Sequence, residues 1–153
     1  MNSQYINPLL TATVNVLTTM AMVEVKVGKP SLKEGTNCLG DITSVIDLKG
    51  EKHHGSLAIS FSQAAILNIA SNMLGESFDT IDEAIADVVG EITNMITGNA
   101  KQIYSEGGLD FALATPKTLI GKDTPVAHTV TGATILMPFS TDAGEFYVEV
   151  CFN

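Results

Sequence analysis

The chain has 153 residues, of which 45% are hydrophobic and 16% charged, and its formal net charge at pH 7 is −9. That length predicts one domain over residues 1–153 with a single core, and the hydrophobic fraction excludes a disordered chain. The negative charge argues against sequence-independent binding to nucleic acid or to an anionic membrane.

The N-terminal segment carries no charged residue over positions 2–23. Its asparagines and threonines interrupt the apolar pattern and no basic region precedes it, so a membrane span and a secretory signal are both disfavoured. We expect instead a buried amphipathic helix over about 8–22, with Pro8 near its first turn. The missing signal and the low cysteine count predict a cytoplasmic protein. Cys38 and Cys151 would be reduced core thiols, and a disulfide between them is the alternative.

Strand patterns precede the second helix, at residues 23–27, 42–48 and 57–61. The last two flank a stretch rich in Lys, Gly and His, which predicts a hairpin with a longer loop. Ser62 is then suited to cap a helix over 63–74, which Gly75 ends.

A long helix at about 82–103 carries the most informative pattern. Its apolar residues recur at helical spacing and predict a buried stripe, namely Ile85, Val88, Ile92, Ile96 and Ile103. The opposite face presents Asp87, Glu91 and Asn94, spaced four and then three residues apart. Gly90 and Gly98 stand four residues before and after Asn94, although glycine inside a helix costs about 1 kcal/mol relative to alanine. They indicate either that another surface approaches closely or that packing inside the protein requires them.

Three more strand patterns follow the break at Gly107 and Gly108, from residue 111 onward, over 126–136 and over 146–152. The order of elements predicts an α+β fold, with a mixed or antiparallel sheet and long helices packed on one face. Aligning Asn15 with Asn94 suggests a pseudo-twofold internal repeat whose first copy lacks the acidic residue, and chance similarity is the alternative.

The pattern Asp87-x3-Glu91-x2-Asn94, followed 22 positions later by Pro116, resembles the signature of the CheX/CheC family. The segments NPLLTATVNVL, VKVGKPSLKEG, SNMLGE and VVGEITNMITGNAK resemble its single-site CheX branch. The resemblance implies a CheC-like fold and a phosphatase that hydrolyses the aspartyl phosphate of a CheY-type response regulator in chemotaxis. It also implies no intrinsic cofactor, because the bound regulator supplies Mg2+.

The same resemblance implies a role for each residue of the pattern. Asn94 would position the attacking water, and Glu91 would anchor the regulator's lysine. Asp87, Gly90 and Gly98 are expected to contact the partner. We also expect Asn99 to make a structural hydrogen bond and Pro116 to set a turn or strand edge near the site.

Two other functions are compatible with the sequence. One is a non-catalytic adaptor that binds a phosphorylated receiver domain of a two-component pathway. The other is a structural subunit like the related flagellar switch domains, which the absence of extra assembly segments disfavours. His53, His54 and His128 lack the spaced partners of a metal site, so we predict no intrinsic metal. The apolar strand 146–152, if it lay at a sheet edge, would pair two copies, and we therefore expect a homodimer.

Overall fold

The computed structural model describes residues 3–122, 124–126 and 128–152. Within these residues the elements follow in the order α1 (Ser3–Met20), β1 (Lys26–Val27), β2 (Ser31–Leu32), β3 (Ile42–Lys49), β4 (His54–Phe61), α2 (Gln63–Leu74), α3 (Glu83–Glu106), β5 (Ala112–Leu113), β6 (Lys117–Ile120), β7 (Thr134–Ser140) and β8 (Glu145–Phe152). None of these helices is long and apolar enough to cross a membrane.

The strands form one sheet in the order β1-β7-β8-β4-β3-β5, with β2 also beside β7 and β6 also beside β3. Every pairing is antiparallel. The hairpins β3–β4 and β7–β8 meet at the centre of the sheet through β4 and β8. The short strands β1 and β2 pair with the later hairpin, and β5 and β6 pair with the earlier one. Such a reciprocal exchange is what an internal repeat would require, and the repeat itself stays a prediction.

The three helices cover one face of the sheet and enclose the main core. Alternate residues of the long strands point to that face, including Ile46, Ile59 and Val148, and they pack with the apolar stripe of α3. Fully burying an aliphatic side chain contributes about 1.5–3 kcal/mol, so this layer dominates the stability of the fold. The predicted α+β class with helices on one face is confirmed.

The opposite face of the sheet is covered by irregular segments. A small apolar cluster there contains Cys38, Ala58 and Val126. The covering segments bond to each other, since the amide of Cys38 donates to the carbonyl of Thr124 at 2.7 Å. Both cysteines of the chain are buried free thiols, as predicted.

A buried polar cluster lies on this second face, around Glu149 of β8. The Glu149 carboxylate lies 2.7 Å from Lys33 Nζ, with side-chain exposures of 2% and 3%. This contact is an ion pair without hydrogen-bond alignment. His128 bridges the other Glu149 oxygen, 2.8 Å from its Nε2, and the Ser56 hydroxyl, 2.7 Å from its Nδ1. The strand predicted over 126–136 would contain His128, which instead lies outside the strands and takes part in this cluster.

The first helix begins earlier than predicted, at Ser3, and ends at Met20. Pro8 therefore lies inside α1 rather than near its first turn. A proline there gives up one backbone hydrogen bond. Burial of Ile6 and Leu9 on either side of it offsets that loss.

Two predictions for the C-terminal strands are wrong. The strand expected over 126–136 begins only at Thr134, because Val126 is buried in a loop against Cys38 and Ala58. The strand β8 has the predicted alternation of apolar residues. It does not lie at the edge of the sheet, where it could have paired with a second copy, since β7 and β4 pair with its two sides. The argument for a homodimer from an exposed β8 edge therefore fails.

Candidate functional site

The helix α3 is the scaffold of the candidate site, and local signals fix both its ends. The Asp82 side chain caps it by accepting a hydrogen bond from the amide of Ile85 at 3.1 Å. At the other end, the amide of Gly107 donates to the carbonyl of Ile103 at 3.3 Å. Its 24 residues span about 36 Å. The helix is the predicted one, extended by three residues at its C-terminal end.

Buried threonines help to fix which face of α3 meets the sheet. The Thr93 hydroxyl donates to the carbonyl of Val89 at 2.8 Å, and the Thr97 hydroxyl donates to that of Thr93 at 2.8 Å. These bonds let both side chains enter the core without an unpaired polar atom. The opposite face of the helix is therefore held towards solvent.

That solvent face carries Asp87, Glu91 and Asn94, all three exposed as predicted. Helical geometry puts the Cβ atoms of Glu91 and Asn94 about 5–6 Å apart. Neither acidic side chain forms an ion pair with a described residue, and the Asn94 amide has no hydrogen-bond partner among them. The carboxylate and the amide are thus available to an external partner.

Gly90 and Gly98 present bare helix backbone on either side of Asn94. A Cβ atom built at either position would meet no heavy atom within 4 Å. Packing within the described chain therefore does not require glycine at these positions. Of the two explanations offered by the sequence, internal packing is wrong.

Two neighbouring elements frame the site. The Asn15 amide of α1 donates to Asn99 Oδ1 at 3.4 Å, so Asn99 makes the structural hydrogen bond that we expected. Pro116 comes directly before β6, which pairs with β3 and packs beside α3. Pro116 thus stands at the edge of a strand, as predicted, and its closeness to the site stays a prediction.

Lys101, which with Asn99 resembles the Gly-Asn-x-Lys run of the CheX/CheC family, received no separate role from the sequence, although it lies on the same helix face. It follows Asn94 by seven residues, or two turns, and is half-buried. That spacing is the signal that could have identified it.

The part of the chain that the structure describes contains no cluster of side chains suited to bind a metal ion. No group of three or more His, Cys, Asp or Glu residues there could hold a metal ion. His53 instead packs edge-on against the ring of Tyr5, with ring centroids 5.4 Å apart.

Comparison with known proteins gives the family. Residues 42–140 match the family described as Chemotaxis phosphatase CheX. A CheC-like superfamily protein from Shewanella sp. PV-4 is 46% identical, with a TM-score of 0.93 and coverage of 100% of this chain and 99% of the other. The CheX–CheY–BeF3–Mg2+ complex from Borrelia burgdorferi contains a chain that is 27% identical, with a TM-score of 0.81 and 97% of each chain covered.

A curated relative agrees with these structures. The CheY-P phosphatase CheX of Thermotoga maritima is 25% identical over 146 residues, which cover 95% of this chain and 92% of the relative. The family match alone spans more than half of the present sequence. The chain therefore belongs to the CheX family of chemotaxis phosphatases, as the pattern on α3 predicted.

Proposed function

We propose that the protein hydrolyses the aspartyl phosphate of a CheY-type response regulator in chemotaxis signalling. The observation that carries this proposal is the exposed pair of Glu91 and Asn94 on α3, without partners among the described residues and flanked by bare glycine backbone. The names of two relatives support it, since one is a CheY-P phosphatase and another was crystallised with CheY, BeF3 and Mg2+.

Asn94 is proposed to position the attacking water. Its carbonyl oxygen can accept a hydrogen bond from the water while its NH2 group donates to a phosphoryl oxygen. Phosphoryl transfer depends mainly on positioning and charge stabilisation, so a strong base is not required. The water oxygen bonds to phosphorus, the bond to the aspartyl oxygen breaks, and the carboxylate leaves. One proton of the water stays on the phosphate and the other passes to solvent.

Glu91 is proposed to anchor the regulator by pairing with its lysine. An error of about 1 Å in placing a reacting group can cost roughly a hundredfold in rate, so an anchor one helical turn from Asn94 matters. Asp87, Gly90 and Gly98 are proposed to contact the same partner, the glycines by letting its surface reach the helix backbone. Mg2+ would arrive with the regulator, as the composition of the Borrelia complex suggests.

The first test is phosphate release from a Mg2+-loaded, phosphorylated CheY-type receiver. We expect the wild type to accelerate release and Asn94→Ala to abolish the acceleration while docking is largely kept. Asn68→Ala, the same change on the exposed surface of α2, is the matched control and should remain active. Glu91→Ala should weaken both binding and rate.

The outcomes separate the candidate functions. Near wild-type turnover by Asn94→Ala would contradict the water-positioning role. Tight binding to the phosphorylated receiver alone, without any acceleration, would favour the adaptor. Neither binding nor acceleration with several CheY-type receivers would contradict the proposed substrate class.

We also propose a cytoplasmic homodimer, on evidence other than β8. The buried free thiols Cys38 and Cys151 suit a reducing compartment. Leu32 on β2 and Ile120 on β6 are 65% and 59% exposed, and pairing of sheets would cover such apolar side chains. Sedimentation should give a dimer that Leu32→Lys or Ile120→Lys weakens. A wild-type monomer at micromolar concentration would contradict the dimer.

A further inference from the structure

Lys101 lies almost in line with Asn94 on the surface of α3. Seven residues of helix correspond to two turns, so the two side chains differ by only about 20° around the axis and about 10 Å along it. Gly98 stands between them, one turn before Lys101. The chain therefore places a cation, bare backbone and the candidate catalytic amide in one row.

Lys101 has no ion-pair partner among the described residues, and no other cation precedes it for many residues along the chain. No lysine or arginine occurs over residues 53–100, whereas six acidic residues do. The positions three and four residues away on α3 are Gly98, Thr97, Tyr104 and Ser105, so the helix offers no carboxylate at salt-bridge spacing. No ion pair joins Lys101 to any residue that the structure describes. Its ammonium is therefore available to a ligand.

Helix geometry lets the Lys101 side chain extend towards Asn94. Side chains on a helix lean towards its N-terminus and lie over the preceding turn. For Lys101 that turn is Gly98, where a Cβ atom would meet nothing within 4 Å. The stem of Lys101 is half-buried, and none of its atoms lies within 4 Å of that Cβ position, so the surface over Gly98 stays open between Lys101 and Asn94.

We propose that Lys101 is a further catalytic residue, whose ammonium binds a nonbridging oxygen of the phosphoryl group that Asn94 prepares for attack. This inference rests on the proposed phosphatase function. Negative charge is spread over the equatorial oxygens in the transition state, and a fixed cation stabilises it. If Glu91 engages the regulator's own lysine, Lys101 restores a positive charge beside the phosphoryl group.

The test compares Lys101→Met, which keeps the stem and removes the charge, with Lys101→Arg, which keeps the charge. We expect Lys101→Met to lower kcat by about 10- to 100-fold. Lys101→Arg should recover most of that loss. Lys26→Met, on the exposed strand β1 at the far edge of the sheet, is the matched control and should match the wild type.

A binding measurement identifies which anion Lys101 contacts. We expect Lys101→Met to weaken affinity for the BeF3-loaded receiver but not for the unloaded one. Unchanged kcat, or equal loss of affinity for both receiver forms, would overturn the proposal, the latter because it points to a receiver carboxylate. If the wild type released no phosphate, the proposed function would fail, and the BeF3 dependence of affinity would still decide the role of Lys101.

Discussion

Gly90 and Gly98 lower the stability of α3, and no packing contact inside the described chain requires a glycine at either position. Glycine in a helix interior is about 0.5–1 kcal/mol less favourable than alanine because it loses more backbone freedom on folding. Both positions have room for a Cβ atom, and both have helical neighbours on each side. Their conformation therefore does not require glycine, and the proposed approach of a partner gives them a purpose that substitution can test.

Gly90→Ala and Gly98→Ala should therefore separate stability from activity. We expect each to raise the free energy of unfolding by about 0.5–1 kcal/mol in urea titrations. Each should also lower kcat/KM for the phosphorylated receiver, because the added methyl group meets the partner. Asn68→Ala, which also favours helix on the surface of α2, should keep full activity. Alanine variants that are both stabilised and fully active would exclude a close approach at these glycines.

At the scale of elements, Tyr104 joins the end of α3 to the start of α1. Its buried hydroxyl donates to the carbonyl of Tyr5. Its ring packs edge-on against the ring of Phe111, with ring centroids 5.1 Å apart. Burial, and next the charge of Tyr5 when it ionises, raises the pKa of the Tyr104 hydroxyl well above its usual value. The joint therefore requires a neutral phenol.

Alkaline pH should loosen this joint. The pKa of Tyr104 is raised by folding, so its contribution to stability is full below the unfolded value of about 10 and is lost as pH rises above it. We expect the free energy of unfolding to fall above about pH 10. Tyr104→Phe should lose about 1 kcal/mol at pH 8 and then fall less steeply. Urea titrations from pH 8 to 11 measure both slopes, and identical slopes would contradict the assignment.

Sequence patterns predict an element well where its signals are local. Helix α2 has the expected bounds, because Ser62 accepts from the amide of Ala65 at 3.3 Å and Gly75 adopts the left-handed φ of 69°. Strand alternation in β8 predicts which residues face the helices, but it does not encode which strands lie beside it. The predicted strand began too early, at Val126, for a related reason: an apolar residue can be buried from a loop as well as from a strand.

The candidate site follows the same rule. The exposure of Glu91 and Asn94 depends only on helical spacing within α3, which the sequence carries. The cluster around Glu149 depends on Lys33, Ser56 and His128, which the fold brings together from distant parts of the chain. No spacing in the sequence could have indicated it.

At the scale of the whole molecule, helices cover one face of the sheet and loops cover the other. The buried cluster around Glu149 joins those loops to the sheet. Removing one partner of a buried ion pair leaves the other charge uncompensated and typically costs about 3–5 kcal/mol. We expect Lys33→Met to destabilise the protein by about that amount. The double variant Lys33→Met/Glu149→Leu should lose less than the sum of the single changes.

Urea unfolding of the two single variants and the double variant measures this coupling. Lys26→Met, an exposed lysine without an ion pair among the described residues, is the control and should change stability by less than about 0.5 kcal/mol. A small effect of Lys33→Met, comparable to that control, would contradict a structural role for the cluster.

The central position of β8 in the sheet has a consequence for how the chain folds. Gly55 pairs with Phe152 across the middle of the sheet, so the β4 edge of the β3–β4 hairpin stays unpaired until β8, which lies far later in the chain, has docked against it. Until then, the neighbours from β8 are missing beside the apolar residues of β4, namely Leu57, Ile59 and Phe61. Pairing between such distant segments is slow, and an open apolar edge favours aggregation meanwhile. Yield in the cell should therefore depend more on how fast β8 docks against β4 and on chaperones than on the stability of the finished fold.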